Sequence, residues 1–222
     1  MDRYVSIAID GPSASGKSTV AKILSSKLNY TYIDTGAMYR AFTLAVIKNG
    51  LDPKNEIESD SLIGKIDISF NDNNEICLNG ENVSKEIREN NVADNVSYIA
   101  SYKNIRLFLV DLQRKIAKGR NVVMDGRDIG TYVLTDAQLK IFLVADINER
   151  GKRRFLENQS KNIESSYDES LANIKKRDYI DSHREFCPLE PAKDAIFIDS
   201  TLLNADEVAE EILHNAKIKG LI

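Results

Sequence analysis

An unbroken apolar stretch opens the chain and gives way to a helical rhythm. Tyr4-Val5-Ser6-Ile7-Ala8-Ile9 reads as a buried strand, and Val20, Ile23, Leu24 and Leu28 follow at helical spacing after a polar turn. Tyr30-Thr31-Tyr32-Ile33 predicts a second short strand, Asp34-Thr35-Gly36 a turn, and Ala37 to Asn49 a helix closed by Gly50. From Lys65 the period falls to two. Ile66, Ile68 and Phe70 alternate, Asn71-Asp72-Asn73-Asn74 turns, Ile76 and Leu78 alternate, and Asn79-Gly80 gives a hairpin signal before Val83. An antiparallel meander inside an alternating strand-helix chain predicts a small subdomain inserted at about residues 60 to 90.

The helical period then returns. Ile105, Leu109, Leu112 and Ile116 fall at i, i+4, i+7 and i+11 with Gly119 behind them, and Val122-Val123-Met124 predicts the next buried strand. Leu139 to Val144 is a further strand, after which Asp146 can cap a basic helix. A long helix is expected from Tyr167 to Arg184, stopping before Pro188, and Ala195-Ile196-Phe197-Ile198 is a last strand. Asn204 and Glu207 form a capping-box pattern opening a final helix with Val208, Ile212 and Ala216 inside. This alternation predicts an α/β fold in one domain, 1–222, with a doubly wound parallel sheet of about five strands flanked by helices. No internal repeat, low-complexity tract or linker breaks it.

Composition narrows the class. Lysine and arginine number 30 against 34 acidic residues, a net charge of −4, which gives no global footprint for a nucleic acid polymer or an anionic membrane. Cys77 and Cys187 stand far apart without a metal-binding spacing, so neither a disulfide framework nor a zinc site is indicated. The apolar run Ile141 to Ala145 is too short to span a bilayer, and the amino terminus lacks a signal-peptide pattern. A cytoplasmic monomer acting on small molecules is the expectation.

The chemistry sits between the first strand and helix. Gly11-Pro12-Ser13-Ala14-Ser15-Gly16-Lys17-Ser18, followed by Thr19, matches G-x-x-x-x-G-K-[ST] in the strand-loop-helix context that this P-loop motif requires. The glycines let backbone N–H groups and the positive end of the next helix converge on an anion. Lys17, expected on a surface loop without a core partner, would reach the β- and γ-phosphates of ATP, and the Ser18 hydroxyl would ligate Mg²⁺. Asp125, at the carboxyl end of a core strand, is the candidate second metal-organising group, although an Asp there also forms turns. Arg150, Lys152, Arg153 and Arg154 read equally as a solvated helix face or as a lid, about 148 to 166, in which Arg153 and Arg154 meet ATP.

A GTP-dependent switch would carry an Asn-Lys-x-Asp base reader, which Asn173-Ile174-Lys175-Lys176-Arg177-Asp178 does not supply. Abundant arginines at turn and helix positions suit a small-molecule kinase, which must hold two phosphates in line and neutralise them without a nucleophilic side chain. Three further strings, in order, sharpen this. Asp34-Thr35-Gly36-Ala37-Met38-Tyr39-Arg40, Asp125-Gly126-Arg127-Asp128-Ile129-Gly130-Thr131 and Arg177-Asp178-x-x-Asp181-x-x-Arg184-x-x-x-Pro188-Leu189, with the P-loop, resemble bacterial cytidylate kinase over nearly the full length. The resemblance implies a P-loop NTPase fold with an antiparallel acceptor-binding insertion and a basic lid, and transfer of the ATP γ-phosphate to CMP or dCMP.

It further implies that Arg40, Arg127 and Arg184 clamp the acceptor phosphate, that Thr35, Arg106 and Asp128 read the cytosine, and that Ser97, Arg177 and Asp181 hold the pentose. Lys17, Arg127, Asp128 and Arg184 would form the catalytic group. Thr35 stands where the family commonly has Ser, and Ile180 where some members carry another Arg. Taken one by one, Arg106 also reads as a solvent-facing helix residue, Ser97 as a helix cap and Thr35 as a turn former. Arg177, Asp181 and Arg184, at i, i+4 and i+7, share one helix face with Ile174, so that face is expected to turn inward, with Arg177 orienting Asp181. A small P-loop kinase for another nucleoside monophosphate or a hydroxy acid, and a nucleotide-hydrolysing switch, remain as alternatives.

Overall fold

Alternation along the strands sorts the core into two layers. In the computed structural model, which describes residues 4–161 and 163–222, β1 is Ser6–Asp10, β2 is Thr31–Asp34, β6 is Val122–Gly126, β7 is Leu139–Val144 and β8 is Ile196–Asp199. They form one parallel sheet in the order β2-β6-β1-β7-β8. Ile7 and Ile9 of β1 and Val123 of β6 face one side, where they pack with Val20 and Leu24 of helix α1 (Lys17–Leu28) and Val208 and Ile212 of helix α8 (Ala205–Ile218). Ala8, Val122 and Met124 face the other side, against Met38 and Phe42 of α2 (Thr35–Lys48) and Ile105 and Leu109 of α5 (Lys103–Ala117). Successive side chains on opposite faces, each face covered by helices, explain why these strands are apolar throughout.

The meander is a separate three-stranded antiparallel sheet, β3 (Ile68–Phe70), β4 (Ile76–Leu78) and β5 (Glu81–Asn82). Asn79 and Gly80 both adopt positive φ, 51° and 83°, as a tight two-residue hairpin requires. Short helices α3 (Glu56–Asp60) and α4 (Asn90–Ile99) flank it, the latter joined to β5 by a 3₁₀ turn at Glu86–Arg88. Neither helix was expected. In α4, Val92, Val96 and Ile99 are buried at i, i+4 and i+7, so packing overrides the weak helix propensity of its four Asn and Asp residues.

Two other boundaries shift. α2 starts at Thr35 because the Asp34 carboxylate caps it, accepting from Ala37 N at 2.8 Å, so the expected turn is already helix. The long helix α7 (Tyr167–His183) ends one residue early: Arg184 is extended at φ −66°, ψ 142°. The capping box at Asn204 and Glu207 forms as expected, Asp146 caps α6 (Ile147–Ser160), and α7 opens on an unforeseen box at Ser166 and Glu169. Asn162, inside the expected lid range, lies outside the described residues. Among the described residues no helix is long and apolar enough to cross a membrane, and both cysteines are free thiols.

The sheet register gathers acids at one edge. Ile9 pairs with Asp125, Asp10 with Gly126 and Asp34 with Asp125, so three carboxylates end adjacent parallel strands where the strand order reverses about β1. Ligands of open α/β sheets bind outside this carboxyl edge. Gly11 follows at φ 150°, and a Cβ there would stand 2.1 Å from the Leu143 carbonyl oxygen. Gly11→Ala is therefore expected to destabilise the fold by about 3 kcal/mol or more, measured as a fall in chemical-denaturation midpoint without ligand.

Candidate active site

The turn after β1 wraps into an anion cradle. Ala14 (φ 59°) and Gly16 (φ 96°) take left-handed conformations, and Gly16 begins α1 with no side chain capping its first amides and no acid in its first turn. Free amides at a helix start favour an anion. Lys17 departs from expectation. It is buried, and its Nζ folds back to donate to Pro12 O at 2.6 Å and Ser15 Oγ at 3.3 Å. Burial first, then repulsion from Arg127, holds this ammonium well below the ordinary lysine range. The loop itself is tied from behind: Ser13 N donates to Asp178 at 2.9 Å, Arg150 donates to Ser13 O at 3.1 Å, and Arg150 and Asp178 pair with each other.

Ser18 Oγ donates to Asp125 Oδ2 at 2.8 Å, while Tyr32 donates to Asp125 Oδ1 at 2.8 Å. Burial, reinforced by Asp34, raises the Asp125 carboxyl to about 6. Among the described residues no group of three or more His, Cys, Asp or Glu side chains converges to hold a metal unaided. A hydroxyl and a carboxylate side by side do fit Mg²⁺, whose remaining positions are commonly filled by water and phosphate oxygens.

Across this cleft stand Arg40, Arg127, Arg154 and Arg177. Arg127 pairs with Asp181 and Arg154 with Glu157, whereas Arg40 and Arg177 are under-compensated. Burial and then Arg154 lower Arg40 to about 10, and burial and then Arg40 push Arg177 well below the ordinary arginine range. Arg177 Nε is buried without a hydrogen-bond partner among the described residues. Arg154 approaches Ser13 Oγ at 3.5 Å and Glu157 at 3.2 Å. Arg153 is placed differently: its guanidinium is bound to Ser200 O at 2.5 Å, Ser200 Oγ at 3.1 Å and Glu149 at 3.4 Å, lining a side cavity with Gly16, Thr19 and Asn204. The two arginines expected to act together thus face two different spaces, as adjacent helix positions must.

A smaller cavity adjoins the cleft, lined among others by Thr35, Tyr39, Ser97, Arg106, Asp128, Asp181 and Arg184. Arg127 and Arg177 line both spaces. Arg106 is 1% exposed, which removes its solvent-facing reading. It donates to Asp128 at 2.5 Å and to Ala100 O at 2.9 Å, with its guanidinium 5.3 Å from the Tyr39 ring centre. Ser97 projects from α4, and its Oγ and the Tyr39 hydroxyl are buried without partners among the described residues. Thr35 Oγ1 donates to Asp125 O at 2.7 Å, leaving its lone pairs to accept. Polar atoms desolvated and unmatched in this way call for a polar ligand.

The inward helix face is present, with Ile174 and Asp181 buried, but its partners are exchanged. Asp181 accepts from Arg127 Nε at 2.8 Å, so Arg127 and not Arg177 orients it. Burial alone would raise the Asp181 carboxyl; Arg127, Arg177 and Arg184 hold it below the ordinary range. Arg184, past the helix end, stands 3.5 Å from Asp128 and donates to Cys187 O at 2.6 Å and Ala100 O at 3.4 Å. It lines the small cavity and not the cleft that holds Arg40 and Arg154. Asp10, Tyr39 and Asp178 were given no role beforehand, and Arg150 only a place in the basic helix. Asp10 did carry a signal of its own, an acid at a core-strand end like Asp125.

The sequence profile of the family described as cytidylate kinase matches residues 7–218. The chain is 49% identical to the cytidylate kinase of Bacillus pumilus over 219 residues, covering 97% of both chains. It is 50% identical to that of Alkaliphilus oremlandii over 214 residues, covering 96% of this chain and 98% of the other. Among solved structures, an uncharacterised protein from Eubacterium ventriosum aligns at TM-score 0.54 with 15% identity, covering 97% and 99% of the two chains. A gluconokinase from Sinorhizobium meliloti aligns at 0.51 with 13% identity, covering 98% and 96%. At such identities these two likenesses speak to fold alone. The full-length match to curated relatives at half identity speaks to lineage: the chain belongs to the cytidylate kinase family.

Proposed function

We propose that this protein transfers the γ-phosphoryl group of ATP to the phosphate of CMP, and of dCMP, by direct in-line transfer, releasing ADP with CDP or dCDP. The observation that carries the reading is the pair of guanidiniums, Arg127 and Arg177, that line both the P-loop cleft and the small polar cavity. A phosphate on each side meets at these two cations. Like-charged reactants are thereby brought together with their repulsion offset by groups already in place, which is where catalysis of phosphoryl transfer arises.

In this reading the P-loop amides and Lys17 hold the donor's β- and γ-phosphates, and the cavity beside Gly16, Thr19 and Arg153 takes the adenosine. Ser18 and Asp125 would hold Mg²⁺, which when bound supplies charge neutralisation on the phosphates. Arg40, Arg127 and Arg177 face the acceptor phosphate; Thr35, Arg106, Asp128 and Arg184 surround the base; Ser97 and Asp181 face the pentose. The segment at about residues 60 to 90 serves as the acceptor-side insertion and that at about 148 to 166 as the lid. A monomer in the cytoplasm completes the proposal. Product identification after incubation with γ-labelled ATP tests it: label should appear in CDP, whereas label only in inorganic phosphate would contradict it.

Two consequences are measurable here. Asp181→Ala should raise the acceptor KM about tenfold and reduce the preference for CMP over dCMP, in steady-state kinetics with both acceptors; a melting shift with unchanged kinetics would remove Asp181 from the site. Protonation of Asp125, whose carboxyl lies at about 6, should weaken binding of the magnesium nucleotide as pH falls through that value. Asp125→Asn should flatten that profile in ATP titrations.

A further inference from the structure

Asp128 sits at the head of an unusual element. Ile129–Val133 forms a π-helical turn, with Tyr132 N and Val133 N donating to Asp128 O at 2.8 and 3.1 Å and Leu134 N to Ile129 O at 2.7 Å. Such a turn leaves its first amides without internal acceptors. Here both are taken by one side chain from another strand: Asp10 Oδ1 accepts from Ile129 N at 2.8 Å and Asp10 Oδ2 from Gly130 N at 2.7 Å. Asp10 is 4% exposed, immediately precedes Gly11 of the P-loop, and shares its surroundings with Lys17 and Asp128. Gly130 leaves room for this approach, since a Cβ there would stand 3.4 Å from Asp10 Oδ2 and 3.1 Å from Lys140 Cδ.

We propose that Asp10 is a positioning residue for recognition of the acceptor base: by holding both leading amides of the π-turn, it fixes the direction in which Asp128 presents its carboxylate. This rests on the reading of Asp128 as a base contact. A simple cap needs one acceptor and can be neutral, as Ser and Asn caps are. A buried carboxylate near a second carboxylate is a costly choice for that task alone. Burial indeed pushes the Asp10 carboxyl up to about 7, against the pull of the two amides. What the carboxyl group adds is a separate oxygen for each amide, at 2.8 and 2.7 Å, and with them a fixed orientation at the one residue, Asp128, on which Arg106 and Arg184 also converge.

The test compares Asp10→Asn, which loses one acceptor and the charge, with Asp10→Glu, which keeps the charge but displaces it from the amides, and with Asp128→Asn. CMP and UMP are the acceptors, and KM for ATP is measured throughout. Both Asp10 variants should lower the CMP-over-UMP ratio of kcat/KM about tenfold, with KM for ATP near wild type. A reduced melting temperature with the ratio intact would make Asp10 a structural cap and overturn the proposal. So would a changed KM for ATP with the ratio intact, which would assign Asp10 to the P-loop. If Asp128→Asn compresses the ratio and the Asp10 variants do not, Asp10 falls and the base reading stands; if Asp128→Asn does not, both fall. Amide hydrogen exchange in the wild-type protein needs no folded variant: slow exchange at Ile129 and Gly130 is expected, and fast exchange at either overturns the contact.

Discussion

Lys17→Ala should lose phosphoryl transfer by about 10²-fold or more while melting no lower than wild type. The second half follows from the buried position of this side chain. Its ammonium is desolvated, repelled by Arg127 and satisfied mainly by carbonyl and hydroxyl oxygens of its own loop. Such a charge costs folding free energy in the absence of an anion, so its removal relieves the free protein and harms the complex. Pro12 O and Ser15 Oγ hold Nζ within the cradle, where a donor phosphate can take over its bonds. Steady-state turnover and a thermal melt, each with and without ATP, check the two halves. Turnover like wild type would take the P-loop out of the mechanism, and a large loss of ligand-free stability would make Lys17 a structural residue.

Asp128→Asn should narrow the CMP-over-UMP ratio of kcat/KM by about 10²-fold. An ionised carboxylate only accepts hydrogen bonds, so it suits the exocyclic amine of cytosine and repels the carbonyl of uracil. The amide can turn its NH₂ toward either. Arg106 at 2.5 Å and Arg184 at 3.5 Å hold the Asp128 carboxylate and aim it. Removing it leaves two buried guanidiniums less compensated, so a lower melting temperature should accompany the change in specificity. Discrimination preserved at wild-type level, in kinetics with both acceptors, would assign base reading elsewhere.

What the sequence disclosed was whatever is encoded locally. Strand alternation, the spacing of Gly11, Gly16 and Lys17, the Asn79-Gly80 hairpin and the Asn204–Glu207 box depend on neighbours within a few residues, and each formed as expected. α4 was missed because Asn90, Asn91, Asp94 and Asn95 disfavour helix in isolation, and burial of Val92, Val96 and Ile99 decides the matter. The helix carrying Arg177 and Asp181 was legible, but its end was not. One residue of overrun gave Arg184 a helical backbone and hid its turn toward Asp128, although it lines the same small cavity as Arg177 and Asp181. Ion-pair partners are the least local feature. Nothing near Asp178 announces that it binds Ser13 and Arg150, and nothing near Arg153 announces Ser200. The resemblance supplied site membership for Ser97 and Arg106, which their own neighbourhoods did not.

The central claim is that two phosphate-bearing nucleotides meet across Arg127 and Arg177, with the acceptor chosen at Asp128. The most direct measurement is ADP release from ATP by the wild-type protein across a panel of acceptors, namely CMP, dCMP, UMP, AMP, GMP, a small hydroxy acid and none. Release should depend on acceptor and be fastest with CMP and dCMP, with little in its absence. Release indifferent to acceptor would describe a hydrolysing switch, and release driven best by another monophosphate or by the hydroxy acid would contradict the assignment of the base cavity.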